Sequence, residues 1–255
     1  MKKLIIAAAL AASLLSASAH AVGRSADITV YDRVQQRILP VYLHEGRHYV
    51  AGQPGNEYEV RIRNRQHSDM LAVVAVDGVN ALSGDTADWE QGGYVLGPQQ
   101  AYALKGWRKS LDRIAAFYFT ALPDSYAART GRPDHVGVIG VAIFRRKPEP
   151  PAAALPQPVP RAAESAGQAM ADSASRAEAP AMAQKPARLG TGHGRSERSV
   201  VTMTEFERAS SVPAEVITIY YDSHSNLVAQ GVIRLPPVAR PLPLPFPGRF
   251  VQDPS

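Results

Sequence analysis

Between Phe144 and Phe206 the chain contains no Phe, Tyr, Trp or Ile. A stretch of that length without bulky apolar side chains buries too little surface to offset the entropy of ordering it. Any core must therefore be assembled from the residues on either side. The break is abrupt: "GVIGVAIFRRK" gives way to "PEPPAAALPQPVPRAAESAGQAMADSASRAEAPAMAQKPARLG", dominated by alanine, proline and small polar residues. We read residues 147–198 as a disordered Ala/Pro-rich linker. "RAAESAGQAMADSASRAEA" has the alanine content of a transient helix but no bulky stripe with which to dock it. Residues 235–255 form a Pro-rich tail, in which Leu242, Leu244 and Phe246 alternate with Pro241, Pro243, Pro245 and Pro247. Polyproline II is the natural conformation of such a sequence.

The N-terminus sets the expected compartment. "MKK" is a basic n-region, "LIIAAALAASLL" an apolar run and Ala19-His20-Ala21 a small-x-small cleavage site, so residues 1–21 read as a signal peptide. The mature protein is then periplasmic or secreted. No later run approaches the roughly 20 apolar residues of a spanning helix, and no transmembrane segment is expected after cleavage. Loss of Lys2 and Lys3 leaves 26 basic against 23 acidic residues, a formal charge of +3. The charge is evenly spread: residues 22–146 hold 15 basic and 13 acidic residues, and 147–255 hold 11 and 10. Neither half resembles a domain that grips phosphate backbones, which argues against nucleic acid as a partner. The chain has no cysteine, which removes disulfides, thiolate metal sites and thiol catalysis together. Stability must come from an apolar core.

On both sides of the break the apolar residues recur with the period of a strand. "YEVRIRN" places Tyr58, Val60 and Ile62 on one face and Glu59, Arg61 and Arg63 on the other. "MLAVVAVDG" is apolar on both faces and ends in Asp77-Gly78, as a central strand entering a tight turn. "DITVYD", "GYVLGP", "AYAL", "IAAFYFT" and "VGVIGVAIF" extend the series, although "SLDRIAAF" also carries Leu111, Ile114 and Ala115 at helical spacing. After the linker, "AEVITIYYD" and "NLVAQGVI" flank "SHS" as the arms of a hairpin within 199–234. Two isolated strands are marginal in water, so Ala214–Ile233 is expected to dock on the sheet of the first domain, residues 22–146. The architecture these patterns predict is all-β, a β-sandwich of about ten short strands with one short helix. That helix lies in "PDSYAARTGRP", between Asp124 as N-cap and Gly131 with Pro133 as the stop.

"HEGRH", His44 to His48, has the letters of a zinc peptidase. The motif requires a helix, which sets residues four apart on one face. Pro40, Gly46, Gly52 and Pro54 and the β-branched neighbours oppose one. A hairpin turning at Glu45-Gly46 is the expected form, with no metal site assigned. Asp85, Asp88 and Glu90 in "SGDTADWE" lack the regular spacing of a calcium loop and read as a solvated acidic loop. "GTGHG", Gly190–Gly194, reads as the flexible end of the linker. No nucleophile elbow surrounds the six histidines or the serines of the mature chain, and no cofactor motif is present.

"VDGVNALSGDTA", "GYVLGP", "GWRKS" and "AAFYFTALPDSYAARTGRPDHVGVIGVAIF" resemble segments of a family of uncharacterised exported bacterial proteins. The similarity covers roughly Ile38 to Phe144. It implies one compact domain there and carries no catalytic residue, cofactor or ligand with it.

Three readings follow. The favoured one is a non-enzymatic binding or envelope-associated module. Trp107, Arg108, Lys109, Tyr126, Arg129 and Arg132 fall in segments that read as loops between strands, where aromatic faces beside guanidinium groups can hold an envelope glycan, an anionic polymer or an envelope protein. In the plainer alternative Trp107 closes the core and the arginines pair with Asp124 or Asp134. The other two readings are a metal-dependent hydrolase using His44, Glu45 and His48, and a structural spacer whose linker spans a layer of the envelope.

Overall fold

The computed structural model describes residues 21–148 and 188–234. The signal sequence, most of the linker and the Pro-rich tail read above lie outside the described residues. In chain order the strands are β1 (Ala26–Asp32), β2 (Arg37–Ile38), β3 (Val41–His44), β4 (Arg47–Gly52), β5 (Tyr58–Asn64), β6 (Met70–Val76) and β7 (Val79–Asn80). They continue with β8 (Tyr94–Leu96), β9 (Ala101–Leu104), β10 (Gly106–Arg108), β11 (Arg113–Ala121), β12 (Val138–Arg145), β13 (Leu189–Arg198) and β14 (Glu215–Ser223). Two short helices, α1 (Tyr126–Arg129) and α2 (His224–Ala229), complete the set.

The fold is all-β and sandwich-like. A large sheet runs β3-β4-β14-β12-β6-β7, with β8 also paired to β6; opposite it lie β2-β1-β5-β9 and β10-β11-β13. Phe119 links the latter two, donating its N–H to Asn56 O and accepting that of Gly55. The period of two in β5 places Tyr58, Val60 and Ile62 in the core. They meet Val74, Val141, Ile217 and Ile219 of the large sheet and Phe117 and Phe119 of β11 in one apolar cluster.

Both two-residue turns take the form that their sequences call for. Glu45-Gly46 joins β3 to β4 with φ of 49° and 73°, and Asp77-Gly78 joins β6 to β7 with 54° and 71°. Positive φ at both central positions matches the right-handed twist of the flanking strands. "RIAAFYFTA" is β11, so the helical spacing in "SLDRIAAF" is not used. The helix in "PDSYAARTGRP" forms, but its N-cap is Ser125 rather than Asp124: the Ser125 hydroxyl accepts the Ala128 N–H at 3.2 Å.

Three expectations are corrected. The linker does not run to Arg198, because Leu189–Arg198 is β13, antiparallel to β11 from Ala121↔Leu189 to Arg113↔Arg198. "GTGHG" belongs to this strand and is not a loose end. Its glycines permit close approach: a Cβ on Gly192 would lie 2.2 Å from the Tyr118 ring, and one on Gly190 2.6 Å from Ser125 and Val136. The C-terminal segment is also not a hairpin on the surface of the sheet. β14 is inserted within it, parallel to β4 and antiparallel to β12. The second arm is α2, whose N-cap Ser223 accepts the Asn226 N–H at 3.2 Å and which Gly231, φ 74°, follows. Leu227, Val232 and Ile233 form a small second core with Tyr42, Tyr49 and Ala51.

Candidate functional site

The β3–β4 register decides what the HEGRH segment can do. His44 lies opposite Arg47 and Leu43 opposite His48, so the two histidines project from opposite faces of the hairpin. His44 instead faces Tyr49, ring centroids 6.4 Å apart. The metal-hydrolase geometry is absent because the pairing separates its ligands. Among the described residues no three His, Asp or Glu side chains converge on a common point. In the acidic loop Asp88 is used locally, accepting the Glu90 N–H at 2.7 Å.

The six residues expected to form a binding patch are divided by the pleat of β10. Trp107 points inward, 3% exposed. It meets Phe117 edge-on at 4.8 Å and Tyr126 at 4.9 Å. Tyr126 is half-buried and stacks towards His193 at 5.4 Å. Trp107 thus offers no open face to a ligand. Arg108, the next residue, points the other way. Its guanidinium donates to Ser199 O at 2.7 Å, Ser199 Oγ at 3.1 Å and the Tyr102 hydroxyl at 3.3 Å. Lys109 and Arg129 are exposed, and Arg132 donates to Thr130 Oγ1 at 2.9 Å and reaches Thr86 Oγ1 at 3.5 Å. The structure brings Trp107 and Tyr126 together inside the molecule and leaves the basic residues apart from them.

The buried titratable groups form a separate, closed network. Asp77, in the Asp-Gly turn, turns its carboxylate inward. One oxygen accepts the Gly137 N–H at 2.9 Å and the Tyr221 hydroxyl at 2.6 Å; the other accepts the Thr191 N–H at 2.8 Å. The Thr191 hydroxyl lies 2.6 Å from both Tyr58 and Tyr221. Burial raises the carboxyl of Asp77 above its ordinary value, against the pull of these donors. Burial, and then the adjacent carboxylate, push the Tyr58 and Tyr221 phenols well up. These residues line neither the groove beside β8 nor the smaller cleft at Gly46 and Val216. The network joins β13 and β14 to the β6–β7 turn.

A groove of about 960 Å³ opens between β8 and the segment 201–211. That segment straps over the outer face of the large sheet. The Val201 N–H donates to Leu111 O, the Lys147 N–H to Glu207 O and the Ala209 N–H to Arg145 O, each at 2.9 Å. Arg208 fastens it further. Its guanidinium lies 4.1 Å from the Phe144 ring centre and donates to the carbonyls of Trp89, Glu90 and Gln91 at 2.9, 3.2 and 2.6 Å. Phe206 packs on Leu71, Val73, Val95 and Phe144. Tyr94 and Tyr102 stack at 5.0 Å on the groove wall, where Arg108 braces both hydroxyls. Burial raises the Tyr94 phenol, and Arg108 opposes the rise.

Sequence reading placed Tyr94 and Tyr102 on strands but had no means of pairing them. Phe206, the first aromatic after the gap, was the one local signal for the strap. Of the expected site residues, Arg108 alone touches this region, as a support. No family model matches this chain, nor does any curated protein or solved structure, so its function has to be argued from the groove itself.

Proposed function

We propose that the protein is an exported, non-enzymatic binding module of the cell envelope, holding an uncharged stretch of an envelope glycan in the groove under the 201–211 strap. The stacked Tyr94–Tyr102 pair on the groove wall carries the reading. Tyr102 is the more open of the two rings, and a sugar ring presents C–H groups that pack on an aromatic face while its hydroxyls find polar partners at the rim. Gln100, Thr202, Thr204 and Ser210 supply that rim. The charges favour a neutral polymer over an anionic one: Arg208 is spent on three backbone carbonyls, and Glu90 is the one carboxylate among the groove residues. Asp88, whose carboxylate accepts the Glu90 N–H, is not among the groove residues, so the groove itself holds no pair of acidic or histidine side chains for acid/base work, which favours binding over hydrolysis. Export rests on the N-terminal pattern and on the resemblance to exported bacterial proteins. Among the described residues no helix is long and apolar enough to cross a membrane.

The test is equilibrium binding of soluble, uncharged glycan-strand fragments to the mature protein. Tyr102→Ala should weaken binding about tenfold, the equivalent of roughly 1.4 kcal/mol of lost stacking, with an unchanged circular dichroism spectrum. If neither neutral nor acidic glycan fragments bind the unaltered protein, the reading fails.

A further inference from the structure

α2 and the strap lie on one face of one sheet. The pairs Leu71↔Phe144 and Val73↔Ala142↔Val216 put the residues under the strap on the same side as Val216. Tyr220 shares that side with Val216, and the pair Tyr220↔Tyr49 extends it to the residues under α2. Between the two covers the sheet is open: Val216, paired with Ala142 at the start of β14 ahead of its pairing with β4, is 55% exposed. The described chain ends on this face, at Arg234, next to Val232 and Ile233 of the α2 cluster.

The sequence that continues from Arg234 is matched to the groove. In "RPLPLPFPGR", Leu242, Leu244 and Phe246 alternate with prolines, and Arg240 and Arg249 flank the run. Proline contributes a carbonyl acceptor and no N–H donor. The strap offers the complement, since the backbone N–H groups of Thr202 to Phe206 have no backbone acceptor among the described residues. Grooves walled by aromatic rings are a recurrent receptor for extended proline-rich segments, and Tyr94, Tyr102 and Phe206 wall this one. Glu90 at the groove and Glu205 on the strap have no ion pair among the described residues, and the two arginines are their counterparts in charge. The reach is sufficient. From Tyr220 to Phe144 is about six residues along the strands and about three strand spacings across from α2, a diagonal of roughly 25 Å. The eight residues from Arg234 to Leu242 span about 25 Å when extended as polyproline II.

We propose that Pro241–Pro247 of the same chain docks in the groove under the strap, crossing the open part of the sheet face at Val216. The groove then has an internal occupant, and a glycan enters by displacing it. The absence of native cysteine allows a clean test on the full mature chain. A spin label on Gln252→Cys should broaden the amide resonances of Tyr94, Tyr102 and Thr202 to Phe206 far more than those of Val34–Ile38, at the opposite edge of the sheet that holds Tyr102. Adding Leu244→Ala with Phe246→Ala, outside every described element, should abolish the broadening. Uniform or absent broadening, or broadening confined to Tyr42 and Tyr49, overturns the proposal. So does broadening that persists when spin-labelled, isotope-free chain is mixed with unlabelled, ¹⁵N-enriched chain, since that assigns the groove to the tail of a second copy. The experiment contains no glycan, so its failure leaves the glycan reading standing, and failure of glycan binding leaves the docked tail standing.

Discussion

Asp77 shows how one side chain can serve a turn and a core at once. Its φ of 54° is what the Asp-Gly turn requires, while its carboxylate receives donors from β13, β14 and the segment leading into β12. Replacing Asp77 by Asn puts an amide nitrogen where one of these donors points, and should cost about 1–3 kcal/mol for the buried group left unpaired. The pH dependence follows from the raised carboxyl. Folded Asp77 holds its proton more tightly than the unfolded chain does, so its contribution to stability is present below the ordinary carboxyl value near 4. That contribution is lost as pH rises toward the raised value, and is constant beyond it. In urea titrations between pH 4 and 7 the deficit of Asp77→Asn relative to the native protein should therefore shrink with rising pH. A deficit that grows would show that the donors hold the group as an anion.

At the scale of single elements, α2 and β13 are where local pattern misleads. "NLVAQGVI" carries apolar residues in a spacing that fits a strand. Ser223 before it and Gly231 within it instead bound a helix, and Leu227 is buried against Val232 and Ile233. A strand would bury Leu227 and Ile233 on one face, and the helix and its turn bury Val232 with them. The presence of apolar residues alone therefore does not choose between strand and helix, whereas the two end signals do. Leu227→Ala should lower the unfolding free energy by about 2–4 kcal/mol, measured by urea denaturation. A surface strand residue would cost far less. β13 is harder to find from sequence. "LGTGHGRSER" has almost no apolar side chains because its partners come to it: Tyr118 and Ser125 occupy the space where side chains of the strand would stand. The strands with a clean period of two, β5 above all, were legible for the opposite reason, since each buries its own alternate residues.

On the scale of the whole molecule, the segments on either side of the aromatic-free stretch form one body. β13 pairs with β11, and β14 separates β4 from β12. Arg33 of the N-terminal part pairs with Glu57 at 3.1 Å and with Glu197 of β13 at 2.9 Å. Cutting the chain at Arg161 or Arg176 should therefore leave both pieces associated. Trypsin-nicked protein is expected to elute from gel filtration as one species with an intact β-sheet spectrum and to separate only in denaturant. Separation under native conditions would mean that β13 and β14 are peripheral. What the sequence determined by itself are the properties that depend on neighbours along the chain: strand character from alternation, the two left-handed turns from Glu-Gly and Asp-Gly, and a short helix from its end residues. Only the tertiary structure decided that β14 is an interior strand, that His44 and His48 face apart, that Trp107 is enclosed, and that Tyr94, Tyr102 and Phe206 share a groove. Each of these depends on cross-strand register and on which residues distant in the chain pack together, and neither is encoded in the periodicity of any one segment.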